Sequence, residues 1–287
     1  MGGYVHPESL VSTAWLAQHL ADPDLRVVDA SYYLPMQNRS ARAEYDQRHI
    51  PGAVFFDIDE IADTTSSLPH MLPSPEKFAS RVRKLGLGDG NRIVIYDSQG
   101  LFSAARVWWE FRVFGHKDVA VLDGGLPKWQ REGRAVEAGE PAAVPAVLYR
   151  PDFRAARLRG IGDMLRNLAA PAELVLDARP AGRFSGRVAE PRAGVRSGHI
   201  PGSTNLPATD LLNPDGTFRA TDEVRARFAA AGVDGSQPVI TSCGSGVTAC
   251  ILTLGLRIAG LAEGAVYDGS WTEWGGRADT PVEIDRA

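Results

Sequence analysis

The feature that most constrains this chain is an internal repeat. A His-Ile-Pro-Gly segment at 49–52 recurs at 199–202, in the second half of the sequence. In each half an apolar segment ending in Asp-Ala precedes it, a second apolar segment follows it, and an Asp-Gly element with a nearby tryptophan closes the half. The other matching pairs are 25–30 with 174–178, 92–97 with 238–243, and 121–129 with 266–274. Four matching elements in the same order predict a tandem duplication of one domain.

The apolar segments of each half are short and continuous, which is typical of strands buried on both faces of a parallel sheet. Helical patterns separate them, for example at 12–19 and at 75–84, where Ser74 is a candidate cap. This alternation predicts the α/β class, with two tandem domains that each have a mostly parallel central sheet flanked by helices. We expect domain 1 at 1–140, a linker at 141–153 and domain 2 at 154–287.

Charge and composition exclude several classes of function. The net charge of −4 gives no electrostatic basis for binding nucleic acid or an anionic membrane. No segment approaches the roughly 20 apolar residues that span a bilayer, and the first residues lack the basic start of a signal peptide. We therefore expect a cytoplasmic protein with neither a nucleic-acid nor a membrane partner.

The two cysteines, Cys243 and Cys250, form neither a disulfide framework nor a zinc-binding spacing. No metal or organic cofactor is expected, because a cysteine thiolate can carry out the chemistry by itself. Cys243 follows the apolar strand 239–242 and precedes a glycine-rich loop and an apolar helical segment that starts at Val247. Unpaired backbone N–H groups and the helix dipole favour an anion at such a position. The loop therefore predicts a stabilised thiolate that acts as a nucleophile.

The other conspicuous residues have structural interpretations. Cys250 lies within the apolar helical segment and is expected to pack there, although a redox role stays open. In the first half Asp97 or Ser98 stands where the cysteine would be, so we expect one active site per chain. The repeated His49 and His199 are expected to support a turn in both halves, because the half without a cysteine has the histidine as well.

The loop at 243–248, Cys-Gly-Ser-Gly-Val-Thr, resembles the active-site loop of the 3-mercaptopyruvate sulfurtransferases, which are relatives of rhodanese. The repeated His-Ile-Pro-Gly segments, 123–126 and 267–271 also resemble this family, and the similarity spans about 11–282. Thiosulfate-preferring rhodaneses usually carry Arg-Lys after the cysteine, so the uncharged Gly244 and Ser245 imply mercaptopyruvate as the donor. The resemblance implies that four loop residues bind substrate: Gly244, Gly246, Val247 and Thr248.

The resemblance implies roles for residues outside the loop as well. Arg183 and Arg192 match the family's pair of substrate-binding arginines, and two guanidinium forks suit the carboxylate of a 2-oxo acid. Asp59, His70 and Ser245 match a proposed Ser-His-Asp relay, in which a histidine can move a proton near neutral pH.

The sequence therefore predicts a sulfurtransferase that moves sulfane sulfur from 3-mercaptopyruvate, through a persulfide on Cys243, to a thiol acceptor such as thioredoxin or to cyanide, releasing pyruvate. Two alternatives stay open: a thiosulfate:cyanide sulfurtransferase and a non-enzymatic sulfide-binding module. A cysteine phosphatase is disfavoured, because its Cys-x5-Arg motif needs an arginine where this chain has Ala249.

Overall fold

The computed structural model describes residues 3–141, 145 and 147–285. Two five-stranded sheets form the cores of two domains, with the strand orders β1-β5-β4-β2-β3 and β6-β10-β9-β7-β8. All neighbouring strands pair in parallel. The strands are β1 (Leu10–Val11), β2 (Leu25–Asp29), β3 (Val54–Phe55), β4 (Arg92–Tyr96), β5 (Val119–Leu122), β6 (Leu158–Arg159), β7 (Leu174–Asp177), β8 (Thr204–Asn205), β9 (Val239–Ser242) and β10 (Ala265–Tyr267).

Helices flank both sheets, which confirms the α/β class and the duplication expected from the sequence. They are α1 (Thr13–His19), α2 (Ala41–Gln47), α3 (Ile58–Ile61), α4 (Pro75–Lys84), α5 (Ala104–Val113), α6 (Gly125–Arg131), α7 (Ile161–Ala169), α8 (Ala181–Phe184), α9 (Thr221–Ala230), α10 (Ala249–Ile258) and α11 (Ser270–Gly276). Ser12 caps α1 and Ser74 caps α4, each accepting a hydrogen bond from a backbone N–H of the first turn. Within the described residues, no helix combines the length and apolar character needed to cross a membrane.

The two domains share one continuous hydrophobic core. Helices α5 and α10 are buried on nearly every face, and their buried apolar side chains belong to the same hydrophobic cluster. Because the two helices pack against each other across the domain boundary, the loops that precede them come together at the interface. Any site at these loops can therefore take side chains from both domains.

The segment that connects the two sheets packs against domain 1. Tyr149 is buried and packs against Phe78 and Phe111, and the Asp152 N–H donates to the Phe114 carbonyl at 2.9 Å. The expected linker includes 142–144 and 146, which lie outside the described residues. We propose the domain boundaries 1–140 and 154–287 with a linker at 141–153, a division that the two separate sheets support.

The repeated histidines are parts of the fold. His49 is buried and stacked on Tyr45, and His199 is buried and stacked on Phe184. Each Nδ1 lies within hydrogen-bond distance of the carbonyl of its stacking partner, at 2.8 and 2.9 Å. The two halves thus use the same contacts at the turn before β3 and β8, as expected from their recurrence.

Candidate active site

Cys243 lies where β9 ends, at the floor of the domain interface. The loop that follows is longer than the sequence indicated, because α10 begins at Ala249 and not at Val247. Cys243 is only 2% exposed, while the neighbouring Gly244 is partly open to solvent. The sulfur therefore sits beneath the loop opening, and a substrate must reach down to it.

The first turn of α11 shapes this loop by binding its carbonyl groups. The Trp271 N–H donates to the Cys243 carbonyl at 2.9 Å, and the Thr272 N–H and hydroxyl donate to the Gly244 carbonyl at 2.9 and 2.6 Å. In a trans peptide unit the N–H points away from the carbonyl of the preceding residue. The N–H groups of Gly244 and Ser245 are therefore directed away from α11.

Ser270 fastens the loop from the same side. Its Oγ accepts hydrogen bonds from the N–H groups of Cys243 and Gly246, both at 3.1 Å, and donates to the Tyr267 carbonyl at 2.8 Å. Ser270 has a φ of +49°, a left-handed conformation that costs a non-glycine residue about 1–2 kcal/mol. Its counterpart in domain 1, Gly125, has a φ of +53° and no hydroxyl. At this position of the repeat, only the domain that carries the cysteine has a non-glycine residue in the left-handed conformation.

The matching loop of domain 1 shows what this architecture holds. Asp97 follows β4 as Cys243 follows β9, so Asp97, and not Ser98, takes the position of the cysteine. Its buried carboxylate accepts four backbone hydrogen bonds of 2.7 to 2.9 Å, from the N–H groups of Gln99, Phe102, Ser103 and Ala104. The loop is therefore a nest for an anion at this position, and in domain 1 the chain's own carboxylate fills it.

Arg183 and Arg192 converge on the loop. A Cβ built on Gly244 would lie 3.2 Å from Arg183 Nη2 and 3.9 Å from Arg192 Nη1. Arg192 Nη2 also donates to the Ser245 hydroxyl at a long 3.4 Å. Two guanidinium groups thus stand beside the partly open part of the loop, in positions that suit binding of an anionic substrate.

Glu190 was not identified from the sequence. Its buried carboxylate accepts hydrogen bonds from Arg183 Nε and Nη2, at 3.1 and 2.5 Å, and from Arg179 Nη1 at 2.9 Å. These bonds fix the guanidinium plane of Arg183 and leave its Nη1 edge free of them. A signal was available: the segment between Phe184 and His199 is longer than its counterpart between Tyr45 and His49, so it is an addition specific to domain 2.

Domain 1 supplies His70 and Asp59. His70 Nδ1 lies 2.8 Å from Asp59 Oδ1, but the direction of approach is not that of a hydrogen bond. His70 is buried, has a φ of +61° and meets the ring of Tyr32 edge-on at 4.8 Å, whereas Asp59 is exposed. Within the described part of the chain, no hydrogen bond joins His70 to Ser245.

Tyr32, which contacts His70, is a further residue near the site that was not identified from the sequence. Burial raises the pKa of its phenol, the charge of Asp59 raises that pKa further, and Arg192 opposes the shift. Tyr32 therefore lies close enough to sense charges from both domains.

Cys250 packs inside α10, as expected. Its thiol donates to the Gly246 carbonyl at 3.2 Å, and burial raises the pKa of this thiol well above its ordinary value. The protonated form is therefore favoured, and the side chain supports the loop from below. Among the described residues, no group of three or more His, Cys, Asp or Glu side chains could hold a metal ion.

The rhodanese-like domain profile matches this chain twice, at residues 12–132 and 161–277. The chain belongs to the rhodanese family. Human 3-mercaptopyruvate sulfurtransferase is 45% identical over 276 residues, covering 94% of this chain and 93% of the human protein. Mouse thiosulfate sulfurtransferase is 43% identical over 285 residues, covering 97% and 95%. The crystal structure of SseA from Escherichia coli, described as a 3-mercaptopyruvate sulfotransferase, superimposes with a TM-score of 0.83 at 41% identity, covering 91% of this chain and 98% of that one.

These similarities confirm the resemblance to 3-mercaptopyruvate sulfurtransferases and the tandem rhodanese fold. They also confirm the enzyme class, because this rhodanese-family chain shares nearly its full length with sulfurtransferases. The chain is thus a sulfurtransferase with two rhodanese domains, of which the second carries the cysteine.

Proposed function

We propose that Cys243 accepts sulfane sulfur from 3-mercaptopyruvate as a persulfide and passes it to a thiol acceptor or to cyanide. The observation that carries this proposal is the Asp97 carboxylate, which four backbone N–H groups hold in the equivalent loop of domain 1. Cys243 replaces that carboxylate in domain 2, where an equivalent set of donors would stabilise a thiolate or a persulfide anion.

In the first step the Cys243 thiolate attacks the sulfur of the donor, and the new S–S bond forms as the carbon–sulfur bond breaks. The electron pair of the broken bond stays on the carbon as the enolate of pyruvate, and protonation of this enolate gives pyruvate. In the second step an acceptor thiolate, or cyanide, attacks the outer sulfur. The S–S bond then breaks and returns Cys243 to its thiolate form.

Arg183 and Arg192 would bind the carboxylate of the donor. Both reach the loop at Gly244, and Glu190 holds Arg183 so that its remaining N–H groups are available. Because Cys243 is 2% exposed, the donor has to enter between these arginines and the loop. The N–H groups from Gly244 to Thr248 that Ser270 does not occupy, in particular those of Val247 and Thr248, would bind the transferred sulfur.

Asp59, His70 and Ser245 would handle the proton that the enolate needs. His70 would carry the proton, and the Asp59 carboxylate lies close to its ring, with Oδ1 2.8 Å from Nδ1. Ser245 is joined to the arginine pair through its 3.4 Å contact with Arg192. The proposed relay would have to pass a proton between His70 of domain 1 and Ser245 of domain 2, which no hydrogen bond joins within the described residues.

Thiosulfate is the second candidate donor, favoured by the 43% identity to the mouse thiosulfate sulfurtransferase. The uncharged Gly244 and Ser245 favour mercaptopyruvate, because a dianion gains less where the loop supplies no cation of its own. We propose a thiol protein such as thioredoxin as the acceptor. A reducing cytoplasm is the proposed location, since both cysteines stay reduced there. The non-enzymatic alternative predicts no turnover with either donor.

The proposal is tested by measuring kcat/KM with each donor and by mass spectrometry of Cys243 after exposure to mercaptopyruvate. We expect a higher kcat/KM with mercaptopyruvate, a mass gain of one sulfur atom and no transfer by Cys243→Ser. Arg183→Gln should lower kcat/KM for mercaptopyruvate by about 100-fold, whereas Arg187→Gln, an exposed arginine on the same segment, should leave it unchanged. Transfer by Cys243→Ser would refute the scheme, and a preference for thiosulfate would refute the donor.

A further inference from the structure

One arginine of domain 1 reaches both parts of the active site. Arg106, on α5, is fully buried. Its Nη1 donates to the Asp268 carboxylate at 2.6 Å and to the Gly246 carbonyl, in the cysteine loop, at 3.3 Å. Its Nη2 donates to the carbonyl of His70 at 2.5 Å. A single planar guanidinium thus bonds to the loop of domain 2 and to the backbone of the relay histidine.

Asp268 completes this connection from domain 2. One carboxylate oxygen accepts from Arg106, and the other accepts from the Leu72 N–H at 2.7 Å, two residues beyond His70. His70 has a φ of +61°, a conformation that persists in a non-glycine residue only when its surroundings enforce it. The contacts of Arg106 and Asp268, one at His70 and one just after it, supply that enforcement.

The internal repeat separates this arrangement from ordinary interface packing. The counterpart of Asp268 in domain 1 is Asp123, which likewise bonds across the interface, accepting from the Phe218 N–H at 2.8 Å. The counterpart of Arg106 in domain 2 is Ile251, a buried apolar side chain that occupies the same position in α10, which begins at Ala249, as Arg106 does in α5, which begins at Ala104. The aspartate contact therefore occurs in both halves, and the arginine has been added only where the cysteine loop meets the histidine.

We propose that Arg106 is a positioning residue, which holds the His70 backbone in a fixed relation to the Cys243 loop and so aligns the relay with the sulfur. It acts through the two carbonyl groups that it binds. This inference rests on the proposed relay role of His70. Glu110, which accepts from Arg106 Nε at 2.8 Å, sets the plane of the guanidinium.

Helix α5 offers a matched control. Arg112 also crosses to domain 2, where its Nε and Nη2 bind the Glu263 carboxylate at 3.0 and 3.1 Å. It is largely buried and lies on the same helix, but its partner is not part of the cysteine loop. Substitutions at Arg112 therefore report the loss of a cross-domain ion pair without the loss of alignment.

The experiment compares Arg106→Lys and Arg106→Met with Arg112→Lys and Arg112→Met, using mercaptopyruvate as donor. We expect the Arg106 variants to lose at least about tenfold in kcat while KM changes little, because a misplaced relay affects the transition state more than binding. If His70→Asn abolishes a pH dependence of kcat, the Arg106 variants should abolish the same pH dependence. The Arg112 variants should keep both.

Arg106→Met leaves the two buried carboxylates of Asp268 and Glu110 without the cation that they share. Arg106→Lys keeps the charge, so it is the decisive variant if the methionine variant does not fold. In the double variant of Arg106→Lys with His70→Asn, we expect no loss beyond that of His70→Asn alone. Losses that multiply would overturn the inference, as would Arg106 variants that match their Arg112 controls. A failure of the proposed function appears elsewhere, as full activity of His70→Asn or Cys243→Ser.

Discussion

Removing the Ser270 hydroxyl should destabilise domain 2 and slow sulfur transfer together. Ser270→Ala leaves the N–H groups of Cys243 and Gly246 buried without an acceptor, each of which costs about 1–2 kcal/mol. The expected loss in the free energy of unfolding is therefore about 3 kcal/mol. Ser270→Gly loses the same bonds but relieves the left-handed backbone, so its loss should be smaller by about 1 kcal/mol.

The free energies would come from urea unfolding followed by tryptophan fluorescence, since Trp271 and Trp274 are buried next to this site. Ser103→Ala is the control, because it removes another buried hydroxyl, which donates to the Ala30 carbonyl at 2.6 Å in domain 1. This control should cost about 1 kcal/mol and leave turnover unchanged.

Turnover should fall at least about tenfold in both Ser270 variants, corresponding to about 1.4 kcal/mol in the activation barrier, because two loop amides lose their fixed direction. The reasoning would be refuted if Ser270→Ala matched the control in both stability and turnover. It would also be refuted if alanine were tolerated better than glycine, since the strain at φ +49° would then have no consequence.

Three further predictions concern the surroundings of the loop. Gly246→Ala should abolish most activity, because its Cβ would lie 2.8 Å from both Arg106 Nη1 and the Asp268 carbonyl, at a φ of +75°; activity above about half would contradict this. Cys250→Ala should keep full transfer of sulfur, measured as pyruvate release, and a large loss would instead indicate a redox or catalytic role. Burial raises the pKa of Glu110 from 4.5 to about 7, so between these pH values the folded state keeps a proton that the unfolded state releases. The free energy of unfolding of the unmodified chain should therefore fall relative to that of Glu110→Gln as the pH rises from 4.5 to 7. If urea unfolding gave the same difference between the two proteins at every pH, the prediction would be wrong.

The fold was predictable because its signals are local and repeated. The apolar segments at 92–97 and 238–243 contain β4 and β9. Ser12 and Ser74 cap their helices, because a serine oxygen just before a helical pattern usually accepts a hydrogen bond from a backbone N–H of the first turn. The position of Cys243 at the end of a strand followed from the same pattern. The helix start was misplaced by two residues, since Val247 and Thr248 are as compatible with a curled loop as with a first turn.

The supporting residues of the site were not predictable, because their contacts join distant parts of the chain. In the sequence nothing distinguishes Arg106 from other helix residues, because its contact with the loop of domain 2 forms only when the domains pack. In the same way, nothing in the sequence distinguishes Glu190 from the other charged residues near it. Ser270 was visible as part of a motif, but its role depends on a backbone angle that no local pattern gives. The low exposure of Cys243 likewise arises from the packing of two domains.

The Asp97 carboxylate has a consequence for the chain as a whole. Because the carboxylate belongs to the loop that binds it, its binding to the four N–H groups is intramolecular, and dissolved anions compete with it poorly. The loop of domain 1 therefore keeps the same occupant throughout turnover, and domain 1 can offer domain 2 a surface that does not change. The loop of domain 2 has a cysteine in place of the carboxylate, so it is the loop in which the bound group can change during the reaction.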